Sequence, residues 1–445
     1  MAAGSSSVRF TVRSPDRAYK DRWLWIPNQY PTGSIKSSLE LDTGMGMRQL
    51  WNDTGNHLVV PREFPWDGPV TVIRPNAQHV GFTDSITCRD ASQQAAWDAL
   101  SSATGGVLNL SPGKGKTVLG LKKIAKEQVK SVVVVPGPTI ISQWVEQAQK
   151  FLGLSRNDIG IVQASKAQWD RPLVIAALKT LAIDPQRVPL KVIDSVGLTI
   201  FDEVHRLGAT TFSRAAPIFG GMRLGLTATI EREDRMEQIY LWHLGDVIHS
   251  DLSQDIPLDV YFVETMTRIN EDETRKHCTD KARQFNFSMF YRWLGKQTAR
   301  NRLIAEHVTL AIQKGRKVIV LGSSIEGLAM LSVLLPGSLV IDGETPHHKR
   351  IELLRRHNPV LATQELLSEA VDVKEIDTVM FVTPFRAWRW FQQGSGRGQR
   401  IHAGKDKAVI VVFDDIYIPP ARALLRTLKK EMKGRGIGYT SVTTE

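Results

Sequence analysis

Two short stretches carry the residue types that phosphate chemistry needs. The first is Ser111-Pro112-Gly113-Lys114-Gly115-Lys116-Thr117, between an apolar run at 106–110 and a helical stretch. Its glycines permit a tight turn, so backbone N–H groups and the N-terminus of the next helix can face a phosphate chain. Lys116 would reach the outer phosphates, and the Thr117 hydroxyl would hold Mg²⁺. The general pattern for such a loop asks for Gly where Leu110 stands. The second stretch is Asp202-Glu203-Val204-His205, directly after the apolar run 198–201. An acidic pair at the end of a buried strand is costly unless it serves a cation. Asp202 is expected to bind the Mg²⁺ that bridges the phosphates, and Glu203 to polarise an attacking water. Alone, the first stretch could be a Gly-rich turn and the second an acidic cap. Together, in this order, they point to a nucleoside triphosphatase.

Such residues need a parallel α/β scaffold to bring them together. From about residue 88, short apolar runs alternate with helical segments, the pattern of βα units. Strands are expected at 106–110, 132–135, 173–177, 198–201 and 223–226. Most are Val/Ile/Leu-rich without alternation, as strands buried on both faces are. A polar helical region follows at about 264–297. The rhythm restarts with strands at 318–321, 338–341, 360–362, 378–382 and 408–413, and a polar helix at about 420–435 closes the chain. Residues 1–85 are rich in Trp, Pro and Gly and read as a small separate module.

Composition narrows the class. The chain has 445 residues, enough for two to four domains. Its 57 Lys and Arg against 46 Asp and Glu leave a net charge of +11, which favours a polyanionic partner. The two cysteines, Cys88 and Cys278, lack metal-ligand spacing, so neither a zinc site nor a disulfide framework is expected. No apolar run approaches the roughly 20 residues that span a bilayer, and no signal peptide is visible. A reducing, cytoplasmic setting is the expectation.

Further residues complete a resemblance. Asp202-Glu203-Val204-His205 resembles the DEVH form of motif II of superfamily 2 helicases. Leu226-Thr227-Ala228-Thr229 is similar to motif III, and Gln393-Gly394-Ser395-Gly396-Arg397-Gly398-Gln399-Arg400 to the Q-x-x-G-R-x-x-R of motif VI. Thr363, Glu369 and Asp372 resemble motif V. Val135-Pro136-Gly137-Pro138 with Gln143-Trp144 resembles motif Ia, and Thr180 lies in a segment like motif Ib. The likeness covers roughly residues 88–415. Within the superfamily it is closest to the XPB/UvsW type, including phage-encoded branch-migration helicases. Arg232-Glu233-Asp234 is similar to the RED motif of XPB, and Arg300-Asn301-Arg302 also fits the group. Glu369-Ala370-Val371-Asp372 fits with Ala370 where the group has Gly. In the segment that reads adenine, Gln93 stands for the family's Gln, while the Tyr is missing.

This resemblance implies two tandem RecA-like P-loop domains with parallel sheets, preceded by a small β-rich or α+β module. The implied boundaries are 1–85 for an N-terminal nucleic-acid-binding module, 86–260 for the ATP-binding RecA-like domain, 261–297 for a helical connector and 298–445 for the second RecA-like domain. ATP would be held by Gln93, Ser111, Pro112, Gly113, Lys114, Gly115, Lys116, Thr117, Gln393 and Gly396, with Thr117 and Asp202 on Mg²⁺. Arg397 and Arg400 would act as arginine fingers, worth ~10³–10⁵ in rate. His205, Thr227, Thr229 and Asp372 would couple hydrolysis to motion. Pro136, Gly137, Thr180, Arg232, Thr363 and Glu369 would touch nucleic acid, largely its backbone.

The implied activity is an ATP-dependent DNA helicase or translocase on duplex, forked or branched DNA, with a single strand in the motor cleft. A monomer is compatible with it, and the setting is cytoplasmic (host cytoplasm or nucleoid for a phage-encoded protein). A duplex translocase or restriction-type motor, an RNA helicase and an ATP-sensing DNA clamp are the alternatives. The aromatic-rich stretch 385–391 could stack on bases or pack on the sheet, and packing is favoured. Trp23, Trp25, Trp51 and Trp66 read as the core of the N-terminal module.

Overall fold

The computed structural model describes residues 17–42, 46–209, 211–231, 236–253, 256–364, 373, 375–385, 388–399, 402 and 405–443, without the side chains of Thr139, His347, His348, Arg389 and Arg397. The chain divides into two compact units, one of residues 1–110 and 114–252, the other of 111–113 and 253–445.

The first unit is built on an eight-stranded sheet. Its order is Lys166–Ala167, Ile159–Gln163, Leu173–Ala177, Ser131–Val135, Leu198–Asp202, Met222–Thr227, Gly105–Leu110 and Val247–Asp251. Every pairing is parallel except that of the Lys166–Ala167 edge. Side chains alternate between two cores: Val133, Ile175, Ile200 and Leu226 face one, Val132, Val134, Val174 and Phe201 the other. Burial on both faces is why these strands read as unbroken apolar runs. The Ile159–Gln163 and Val247–Asp251 strands were not among those expected. Val247–Asp251 (Val-Ile-His-Ser-Asp) lies at the sheet edge, half-exposed, so it lacks the apolar run.

A five-stranded sheet and a small hairpin form the N-terminal region of this unit. Its core holds Leu24, Ile26, Leu58 and Val60, with Trp51 and Trp66 packed against them. The module is fastened to the start of the large sheet, the end opposite Leu110 and Asp202. The fully buried Arg223 guanidinium donates to the carbonyls of Phe219 (2.7 Å), His243 (3.2 Å) and Arg22 (2.7 Å). Arg62 donates to Gly220 O (2.7 Å) and Gly221 O (2.6 Å). A buried guanidinium must spend its donors on fixed acceptors, and here those acceptors come from both sides of the junction.

The second unit has a seven-stranded sheet. Its order is Leu339–Ile341, Val360–Thr363, Val318–Gly322, Thr378–Phe381, Ala408–Asp414, Leu258–Glu264 and Thr440–Val442, parallel throughout. The helix Thr298–Gln313 is pinned by one buried ion pair. Arg300 Nε and Nη2 donate to Asp415 Oδ1 (2.7 Å) and Oδ2 (3.0 Å), and Thr265 Oγ1 donates to Oδ1 (2.6 Å). The Gly-rich stretch of motif VI is a helix, Trp388–Gly398. A Cβ on Gly394 would lie 2.8 Å from Phe381, and one on Gly398 3.2 Å from Ala408. These two glycines, one turn apart, let the helix lie close against the sheet. Phe385 and Phe391 are buried in the core, with Trp388 and Trp390 against it, so this stretch packs on the sheet.

Candidate nucleotide site

The phosphate loop leaves the sheet at the buried end of Gly105–Leu110. Gly113 (φ 89°) and Gly115 (φ 83°) take the left-handed conformation that side chains resist. Gly115 then begins the helix Lys116–Glu127. A Cβ on Gly115 would stand 2.1 Å from Gln93 Nε2, so a side chain there would displace Gln93 as well as strain the backbone. Lys116 Nζ donates to Leu110 O at 2.8 Å, which folds the side chain back over its own loop. Gln93, 5% exposed, accepts at Oε1 from Arg89 N (2.9 Å) and reaches Lys114 O with Nε2 (3.5 Å). Its amide therefore braces the loop. Lys114 is itself buried and lies 3.7 Å from Asp251, which also accepts from Ser92 Oγ.

Asp202 ends the strand Leu198–Asp202, in the centre of the sheet. Its Oδ2 accepts from Trp144 Nε1 (2.8 Å) and its Oδ1 from Glu203 N (3.0 Å). Burial first and the Glu203 charge second push the Asp202 carboxyl up to about 6, while the Trp144 bond and the Lys116 ammonium oppose them. Glu203 has φ 50° and ψ 52°, a left-handed backbone rare for a side chain of this kind. This turn swings Glu203 off the strand and starts the short turn Val204–Gly208. The turn lies flat because Gly225 is beneath it: a Cβ there would meet Val204 at 2.9 Å.

A polar chain runs onward from the acidic pair. Glu203 Oε2 lies 3.4 Å from His205 Nδ1, and that nitrogen lies 3.1 Å from Thr227 Oγ1. Thr227 Oγ1 donates to Thr229 O (2.8 Å) and accepts from Thr229 N (3.0 Å). Thus Glu203, His205, Thr227 and Thr229 are brought into one line. Pro136 and Gly137 lie at the end of Ser131–Val135, where Gly137 caps the helix Pro138–Leu152. Thr180 is in the helix Leu178–Ile183, its hydroxyl accepting from Ala164 N (3.1 Å). In the second unit Thr363 ends its strand, half-buried. Gln393 and Gly396 are on the helix Trp388–Gly398, and Gln393 Oε1 is buried without a hydrogen-bond partner. Arg232, Glu369, Asp372, Arg400 and the side chain of Arg397 lie outside the described residues.

Some residues of these sites were not singled out by the sequence. Asp251 holds Lys114 from the half-exposed edge strand. Gly225, a glycine inside an apolar strand, is the usual sign of a close approach. In the second unit Ser323, Gln364 and Thr383 form a linked polar triad at the ends of three neighbouring strands, with separations of 3.1 Å. Trp144 stood in a motif, and its bond to Asp202 appears only in three dimensions.

The donor set suits a magnesium nucleotide: a strand-end carboxylate kept costly by desolvation, the threonine hydroxyl that follows the loop lysine in sequence, and a left-handed glycine loop that presents backbone N–H groups. The raised pKa has a consequence for the free protein. A carboxyl whose folded value exceeds its unfolded one stabilises the fold only while protonated, and that stability is lost as pH rises toward the folded value. Between pH 5 and pH 8 the unfolding free energy of the wild type should fall, relative to Asp202→Asn, by on the order of 1–2 kcal/mol. Parallel denaturation of the two proteins at each pH measures it. A difference that stays flat with pH would refute the raised value.

Residues 85–232 match the family described as the type III restriction enzyme, res subunit. S. cerevisiae Dbp5 bound to RNA and ADP BeF3 superposes with a TM-score of 0.56 at 13% identity, over 80% of this chain and 90% of that one. The fold is thus the two-domain RecA-like one, and the matches to helicases support an ATP-hydrolysing enzyme of that kind. An Acanthamoeba polyphaga mimivirus protein, L396, which carries the name of an ATP-dependent RNA helicase, is 21% identical over 407 residues, 87% of this chain and 75% of its own. The DNA 3'-5' helicase XPB of Kineococcus radiotolerans is 27% identical over 304 residues, 65% of this chain and 53% of its own. This chain therefore spans about half the length of that relative. Its sequence is thus similar to that of XPB helicases. Among the described residues no helix is long and apolar enough to cross a membrane.

Proposed function

We propose that this protein is an ATP-driven motor on DNA that remodels forked or branched duplexes. The observation that carries it is the line from the acidic pair through His205 to Thr227 and Thr229, which ties the hydrolytic site to the motif III turn. Lys116 exchanges its bond to Leu110 O for phosphate oxygens. Glu203, swung clear of the strand, orients and deprotonates the attacking water. Its charge change is felt at His205, within ion-pair reach, and passed to the Thr227 hydroxyl. Asp202 and Thr117 would hold Mg²⁺, which when bound would neutralise phosphate charge. Pro136, Gly137, Thr180 and Thr363 contact the nucleic-acid backbone, since a motor that read bases would stall on sequence. The net charge of +11 supports such contacts.

ATP hydrolysis measured alone and with single-stranded DNA, duplex DNA, a four-way junction or RNA tests this reading. Stimulation should be greatest with the junction or a fork, followed by strand separation on those substrates. Stimulation by RNA alone would reassign the motor to RNA, a reading supported by the name of the mimivirus relative. DNA binding without hydrolysis on any substrate would leave an ATP-sensing clamp.

A further inference from the structure

Trp144 is among the largest fully buried side chains of the protein, 1% exposed. It belongs to the helix Pro138–Leu152, which starts where the strand Ser131–Val135 ends. That strand is the sheet neighbour of Leu198–Asp202. Nearly two turns into the helix, the indole reaches back over the strand tips and donates from Nε1 to Asp202 Oδ2 at 2.8 Å. The other carboxylate oxygen accepts from Glu203 N at 3.0 Å. Rotation of a carboxylate about its last bond is only softly restrained, and two donors on different oxygens fix its plane. The far edge of the same ring rests on Gly120 of the helix Lys116–Glu127, where a Cβ would stand 2.9 Å from Trp144 Cη2. Trp144 therefore touches both halves of the nucleotide site: the helix that follows the phosphate loop and the acidic pair. Phenylalanine could fill the same space. Only tryptophan fills it and also presents a donor to the carboxylate.

We propose that Trp144 is a positioning residue for magnesium–nucleotide binding, its indole N–H setting the orientation of Asp202 and Gly120 providing the notch through which the ring reaches it. The proposal rests on the reading of Asp202 as the metal-binding carboxylate. Groups that hold a metal ligand in place are typically worth about 10- to 100-fold in metal affinity. Trp144→Phe keeps the ring and removes the donor. Gly120→Ala keeps the donor and displaces the ring.

The test uses the full chain without nucleic acid. ADP affinity is measured by calorimetry in EDTA, and Mn²⁺ affinity of the ADP complex by electron paramagnetic resonance. In Trp144→Phe, metal-free ADP affinity should stay within about twofold, while Mn²⁺ affinity falls about 10- to 100-fold. Gly120→Ala should shift the same two quantities in the same directions. Unchanged Mn²⁺ affinity would overturn the proposal, as would an equal loss of metal-free ADP affinity, which marks a merely structural role. If Trp144→Phe fails to fold, Gly120→Ala decides by the same two criteria. Asp202→Asn separates the underlying reading: if it leaves Mn²⁺ affinity intact, Asp202 is not the metal carboxylate and the proposal falls with it.

Discussion

Glu203→Gln should lower kcat for ATP hydrolysis by about 10²–10⁴ while leaving the KM for ATP within a few-fold of wild type. The substitution keeps the size of the side chain and removes its ability to take a proton. The backbone at Glu203 (φ 50°) is set by the turn into Val204–Gly208 and by Val204 lying over Gly225, neither of which involves the carboxylate. The geometry of the site should therefore survive. What changes is the group beside His205 Nδ1, 3.4 Å away. Single-turnover hydrolysis and nucleotide binding separate the two effects: binding is retained and the chemical step is lost. A variant that hydrolyses ATP at near wild-type rate would remove Glu203 from the mechanism. One that loses nucleotide binding to the same degree would make its role structural.

The second large effect concerns stability. Arg300→Ala should destabilise the second unit by about 3–5 kcal/mol, because it strands a buried carboxylate. Arg300 and Asp415 are 2% and 0% exposed, and they meet through paired hydrogen bonds of 2.7 and 3.0 Å. Arg300 Nη2 also donates to Val382 O (2.8 Å), so this one side chain joins the helix Thr298–Gln313 to the ends of two segments of the sheet. Replacing both partners, as Arg300→Met with Asp415→Leu, should recover most of the loss, since no charge is then left buried alone. Urea denaturation followed by a probe in this unit measures all three proteins. An Arg300→Ala variant that loses less than about 1 kcal/mol would mean that the pair is solvated and that the helix is held by its apolar face alone.

The fate of Arg300 also shows where the sequence stops. The triplet Arg300-Asn301-Arg302 resembles a family motif, yet the structure uses Arg300 for packing: its guanidinium is closed within an ion pair. No local pattern announces this, because Asp415 is distant in sequence and the pairing exists only after the sheet has formed. The Gly-rich run of motif VI makes the same point. Glycine is a poor helix former, so nothing in the string itself asks for a helix. In the fold it is a helix, since Gly394 and Gly398 gain more from close contact with Phe381 and Ala408 than they lose in backbone freedom.

What the sequence alone determined was which residue types stand at each strand end. The Gly-Lys-Thr loop, the acidic pair and the threonine turn are each a run of contiguous residues led into by an apolar strand. The parallel sheets followed from the same strands, whose lack of alternation records burial on both faces. The tertiary structure decided which distant residues complete those sites. Trp144 reaches Asp202, Asp251 holds Lys114, Gln93 braces the phosphate loop, and Arg223 locks the N-terminal module to the far end of the sheet. Each is a contact between segments whose separation along the chain carries no fixed spacing. The physical reason is that a buried polar group takes whichever partner the packed elements bring within reach, and that choice is made by the sheet order and not by the local sequence.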